Sequence, residues 1–138
     1  MVRSTVLVIE ADTGEIPGIS VAVEESLRSC AFSDDAILDL QLAVEEAVVN
    51  TIVHGYRGAA GTLTIAIHVT DSAAEIRIED RAPAFDPLSL PEPDRGDDLA
   101  RRRIGGLGVY LLRQMVDDVS YAYADGKNIL TLVKKKSA

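Results

Sequence analysis

The chain has 138 residues, with 14 Lys plus Arg against 22 Asp plus Glu, a formal charge of −8, 47% hydrophobic residues and 26% charged ones. That is one domain's worth of chain, able to bury about two-thirds of its unfolded surface, so a core needing neither disulfides nor structural metal is expected. The acidic balance argues against duplex-DNA binding, which rests on Lys and Arg neutralising phosphates, and fits a basic protein segment better. The lone Cys30 excludes an intramolecular disulfide and a cysteine zinc site, and His54 and His68 are too isolated to form another metal cluster.

The opening run MVRSTVLVIEAD holds an apolar stretch too short for a signal peptide or a membrane span, which points to a cytoplasmic location and no membrane association. STVLVIEA reads as a first strand. From Gly14 to Cys30 the apolar residues Ile16, Ile19, Val23, Leu27 and Cys30 recur at helical spacing, with Pro17 tolerated near the start. Ser33 followed by Asp34 and Asp35 is an N-terminal cap with two acids where the helix dipole favours them. This second helix is predicted to run to about His54, stopped by Gly55 and Gly58.

Glu46, Asn50 and His54 are spaced four apart on that helix and form a narrow polar stripe between apolar flanks. Two readings of the stripe stand: a solvated face of an amphipathic helix, or an oxygen-bearing Asn beside a carboxylate, suited to hold hydrated Mg²⁺ and activate a hydroxyl.

Period-two alternation begins at Thr62, with Leu63, Ile65, Ile67 and Val69 on one face, and predicts a half-buried strand. Asp71 and Ser72 turn the chain into a second strand, where Ala74, Ile76, Ile78 and Asp80 share one face. Asp80 is the odd member. A desolvated carboxylate needs compensation, so Asp80 either turns outward as a cap or is a buried acceptor for a ligand N–H such as an adenine amino group.

Residues 81–103 hold four of the five prolines and a dense mix of charges. These 23 residues exceed the usual structureless-loop ceiling of about 12–15, so the stretch is expected to be a functional lid or disordered. Gly105, Gly106 and Gly108 open the next predicted helix and either let the chain turn or offer bare N–H groups to phosphate, and Arg101–Arg103 just before them are either a solvated charge run or a contact for a terminal phosphate. VSYAYA and ILTLV, joined by Asp125-Gly126-Lys127-Asn128, read as a closing hairpin. The element order points to an α+β fold, helices on one face of a mostly antiparallel sheet.

Three ordered segments resemble the boxes of the GHKL (Bergerat-fold, histidine-kinase-like) ATPases and, within them, the anti-sigma-factor serine/threonine kinases of the RsbW and SpoIIAB type. LAVEEAVVNTIVHGY (42–56) resembles the N-box, matched at Glu46, Ala47, Asn50, His54 and Tyr56; IEDRAPAFDP (78–87) resembles the adenine box; GGLGVYLLRQMVDDV (105–119) resembles the glycine box. The resemblance covers essentially the whole chain. It implies a single domain over 1–138, a two-layer α/β sandwich with a mixed, mostly antiparallel sheet and an ATP lid at about 81–103. It implies that Asn50 coordinates Mg²⁺, that Glu46 is the general base, that Asp80 receives the adenine amino group, and that Gly105, Gly106, Leu107 and Gly108 bring backbone N–H groups to phosphate. His54 is matched by position. The sequence departs from the family where Ala82 replaces the glycine of D-x-G. The arginine usually found immediately before the glycine box has Arg103 as its nearest counterpart, with Ile104 possible in that register. Asn128 stands in for the Thr that often follows the last hairpin's glycine. By resemblance the protein binds Mg-ATP and phosphorylates a serine or threonine on a STAS-domain anti-anti-sigma factor. It further implies sequestration of a sigma factor, homodimerisation and no direct contact with nucleic acid. The alternative is a nucleotide-dependent regulatory binding module of the same fold without catalysis.

Overall fold

The computed structural model describes residues 2–89 and 112–136. In chain order these form β1 (Arg3–Glu10), α1 (Ile16–Ser29), α2 (Asp34–Asn50), β2 (Thr62–Val69), β3 (Ala73–Asp80), β4 (Asp118–Ala124) and β5 (Lys127–Lys135). The strands make one sheet in the order β1-β2-β3-β5-β4, and every pairing is antiparallel. The mixed sheet expected from the resemblance is therefore, among the described residues, a purely antiparallel one.

Alternation decides which face of the sheet is covered. Leu63, Ile65, Ile67 and Val69 of β2, Ala74, Ile76 and Ile78 of β3, and Leu130 and Leu132 of β5 are buried, and they form one core with Ile19, Val23 and Leu27 of α1 and Leu40, Val44 and Val48 of α2. Their neighbours Thr62, His68, Glu75 and Arg77 lie on the exposed face. The two helices thus cover one side of the sheet and leave the other to water, the two-layer arrangement that a period-two pattern requires.

The helix ends follow local chemistry. Ser33 caps α2 by accepting a hydrogen bond from the Ala36 N–H at 3.2 Å, with Asp34 and Asp35 in the first turn. The far end differs from the sequence expectation: α2 stops at Asn50, and Thr51–Gly55 continue as a π-helical turn. A π turn bonds each residue to the fifth along rather than the fourth, so His54 lags behind the position it would hold on a continuous α-helix, and the single Glu46–Asn50–His54 stripe is broken after Asn50.

The closing hairpin is tighter than the four-residue connection read from the sequence. Asp125 and Gly126 alone form the turn, with φ of 54° and 75°, the left-handed pair that a two-residue hairpin needs. Lys127 and Asn128 consequently belong to β5. That assignment sets the site: the register pairs Asp80, the last residue of β3, directly with Asn128.

Candidate functional site

A cavity opens between the C-terminal end of α2, the end of β3 and the β4–β5 hairpin. Asn50, Thr51 and Gly55 form one wall; Ile78, Asp80, Asn128 and Leu130 form the sheet floor; Phe85, Pro87 and Tyr121 close the third side. Its character is apolar and aromatic with a few converging polar groups, as expected of a site for a planar heterocycle.

Asp80 is buried on the helix-facing side, which settles the direction in which it points. Its Oδ1 accepts from the Ala82 N–H and from the Asn128 amide, each at 2.9 Å, while Oδ2 takes no hydrogen bond from the described residues. Burial pushes the carboxyl above its usual range, and the Asn128 and Ala82 donors pull it back. Oδ1 is thus held by the protein, while Oδ2 of this cavity-lining residue has no donor among the described residues, which suits an exocyclic amino group.

Asn128, 5% exposed, is saturated by protein. Its Nδ2 donates to Asp80 Oδ1 and to the carbonyls of Ala82 (3.0 Å) and Pro83 (3.2 Å), and its Oδ1 accepts from the Phe85 N–H at 3.0 Å and from the Tyr121 hydroxyl. Every valence of the amide is used, so Asn128 orients Asp80 and the turn after it rather than offering a free group to a ligand. The same bonds anchor residues 82–85, so the start of the expected lid is tied to the sheet, and Pro87–Ser89 form a 3₁₀ turn.

Ala82 is buried and does not line the cavity. A Cβ built on Gly55 would lie 3.4 Å from the Ala82 Cβ, which places the Ala82 methyl against Gly55 of the cavity wall. The methyl that replaces the usual glycine is thus taken up by the missing side chain at position 55.

Asn50 lines the cavity, and its half-buried amide makes no hydrogen bond to the described residues. No group of three or more His, Cys, Asp or Glu suited to a metal occurs among the described residues. The Asn50 amide oxygen, at the cavity, is of the hard type that Mg²⁺ takes alongside phosphate and water. Glu46, one turn earlier, is half-buried; burial raises its carboxyl above the ordinary range and the neighbouring Glu45 carboxylate adds to the effect. A carboxylate raised in this way is a better proton acceptor near neutral pH. His54 does not line the cavity but stacks on Phe85, with ring centroids 6.3 Å apart and planes inclined by 26°. Arg103, Gly105, Gly106, Leu107 and Gly108 lie outside the described residues.

A family model described as the histidine kinase-like ATPase domain matches residues 9–134. The chain belongs to that family. Among the relatives of this ATPase domain, the serine-protein kinase RsbW of Listeria innocua is 34% identical over 104 residues, covering 72% of this chain and 66% of that protein. The RsbW of Bacillus cereus strain G9842 is 29% identical over 103 residues, covering 72% and 64%. The chain thus spans just under two-thirds of the length of the curated relatives it matches. The crystal structure of the RsbU and RsbW domains of Rv1364c from Mycobacterium tuberculosis superposes on 99% of this chain and 33% of that one, with a TM-score of 0.69 at 17% identity, a likeness of fold.

Tyr121, Phe85 and Pro87 were not marked as site residues by sequence reasoning. Tyr121 had a readable signal, since Val119 and Tyr121 alternate with exposed Ser120 and Ala122 and so share the helix-facing side of β4. Phe85 and Pro87 had none, because their place depends on the Asn128 anchor and not on any period.

Proposed function

We propose that this ATPase domain is an ATP-binding serine/threonine kinase of the RsbW type. It phosphorylates a STAS-domain anti-anti-sigma factor, sequesters a sigma factor, works in the cytoplasm and forms a homodimer. The observation that carries the reading is the pairing on α2 of Asn50, which lines the cavity with an amide unbonded to the described residues, with Glu46, a carboxylate of raised proton affinity one turn away. The names of the relatives support the choice of acceptor class.

Mg-ATP, when bound, supplies the transferable phosphoryl group and the cation that neutralises its charge. Asp80 Oδ2 would accept a hydrogen bond from the base's amino group, Phe85 and Tyr121 would exclude water beside it, and Asn50 would offer its amide oxygen to the cation. Glu46 would take the proton of the acceptor hydroxyl as that oxygen bonds to the γ-phosphorus and the γ-phosphorus–oxygen bond to ADP breaks, ADP being the leaving group. Phosphoryl transfer asks mainly for positioning and charge stabilisation, so this short set of residues is sufficient.

The deciding experiment incubates the protein with labelled Mg-ATP and the STAS proteins encoded nearby, comparing wild type with Glu46→Gln. Label on a STAS serine or threonine that disappears in the variant is the expected result. Nucleotide binding without transfer to any acceptor would replace the kinase reading with the binding module.

A further inference from the structure

Tyr56 lies directly after the π turn, outside the cavity lining, yet its hydroxyl touches both strands that deliver Asp80. The hydroxyl donates to the Thr62 carbonyl at 2.7 Å and accepts from the Arg81 N–H at 3.0 Å. The β2–β3 register ends on the pair Leu63–Asp80, so the next pair along the ladder would be Thr62 with Arg81. The Tyr56 hydroxyl stands at that point and satisfies the two backbone groups that would otherwise be free to approach one another. The ladder stops there, and the chain leaves β2 immediately after Asp80, into the turn where Ala82 donates to Asp80 Oδ1.

The ring is seated as firmly as the hydroxyl. A Cβ at Gly61 would lie 2.3 Å from the Tyr56 Cε1 and 2.4 Å from its Cζ, so only glycine leaves room for the ring at that position. At its other end the Tyr56 N–H donates to the Thr51 carbonyl at 2.9 Å, closing the π turn that follows Asn50. One residue, through its backbone N–H and its hydroxyl, therefore joins the end of the helix bearing Asn50 to the end of the strand bearing Asp80.

We propose that Tyr56, seated on Gly61, is a positioning residue for nucleotide binding: it terminates the β2–β3 ladder at Asp80 and sets the spacing between the base-recognising carboxylate and the cation-side amide. This rests on the ATP-binding reading above. Loss of the hydroxyl leaves the Arg81 N–H and Thr62 carbonyl to pair with each other, draws residue 81 toward β2 and loosens the turn that orients Asp80. Affinity and base selectivity suffer, whereas Glu46 and the chemistry at its carboxylate are untouched.

The test measures Kd for Mg-ATP and Mg-GTP by calorimetry in wild type, Tyr56→Phe and Gly61→Ala, with hydrogen exchange at the Arg81 amide. Gly18→Ala serves as a control, since a Cβ there meets nothing within 4 Å. Tyr56→Phe and Gly61→Ala are each expected to weaken Mg-ATP binding about ten-fold, a loss equivalent to one well-placed interaction. They should also narrow the preference for ATP over GTP, change Arg81 exchange, and leave kcat at saturating ATP as in wild type. Wild-type binding that both variants reproduce within about two-fold, on the same scale in which ten-fold is one interaction, overturns the role of Tyr56 and leaves the ATP reading standing. A variant that loses kcat but not affinity, or variants that merely unfold, overturn it also, the latter assigning Tyr56 to stability. Failure of wild type to bind either nucleotide removes the ATP reading and this inference together.

Discussion

Replacing Asn128 with Ala deprives the site of all five hydrogen bonds that its amide makes. Pro83 is exposed and Phe85 half-buried, so their freed groups recover partners from water. Asp80 and Ala82 are 7% and 2% exposed and recover little. Losing a donor to a buried carboxylate costs about 1.5–3 kcal/mol and leaving a buried carbonyl unpaired about 1–3 kcal/mol, so some 3 kcal/mol is expected after allowing for water entering from the cavity. In a domain of this size that lowers Tm by roughly 10 °C. Urea unfolding followed by circular dichroism measures it directly. Asn128→Asp is the companion variant: it keeps the shape but sets a second carboxylate against Asp80, so its deficit should shrink as pH falls and the pair takes up a proton. A loss below about 1 kcal/mol for the alanine variant, within the range of an ordinary surface substitution, would refute the assignment of Asn128 as the anchor of this turn.

The raised Glu46 carboxyl makes a stability prediction with a definite sign. The folded state binds that proton more tightly than the unfolded chain, so Glu46 lowers stability as pH rises through the ordinary carboxylate range to the raised value, and the deficit persists above it. Glu46→Gln should therefore be more stable than wild type at pH 7 to 8, with the two converging in acid below the ordinary range; thermal melts over pH check it, and equal stability at neutral pH would contradict it. Asn50→Ala should weaken nucleotide binding in the presence of Mg²⁺ far more than in EDTA. Calorimetry with and without the metal decides, and affinity unchanged in both conditions would remove Asn50 from the cation site.

Much of the fold was legible because its signals are local and periodic. The two-residue alternation from Thr62 to Asp80 located both strands and marked Asp80 as a carboxylate on the apolar face, and the structure buries it there. Ser33 and its two acids located the start of α2. The end of that helix was not legible. No residue pattern separates a π turn from one more α turn, since Thr51–Gly55 carry the same apolar and polar residue types that an α-helical turn would. The hairpin was recognised by its Asp-Gly pair, but its length, and with it the membership of Asn128 in β5, depends on strand register. Asn128 and Ala82 were marked by family likeness as ligand-side residues, whereas the structure gives one a saturated anchoring amide and the other a buried methyl against Gly55. Such roles come from contacts between residues far apart in the chain, Asn128 with Asp80 and Phe85 and Ala82 with Gly55, which no local spacing encodes.

The proposed recognition of ATP rests on Asp80 Oδ2, unbonded to the described residues, accepting from an adenine amino group. Calorimetric titration of wild type and Asp80→Asn with Mg-ATP and Mg-GTP tests it most directly. Wild type is expected to bind with a clear preference for ATP, and Asp80→Asn to lose about ten-fold or more for ATP, the size of a charge-assisted hydrogen bond. Equal affinity for the two nucleotides, or an Asp80→Asn variant that binds Mg-ATP as well as wild type, would contradict it.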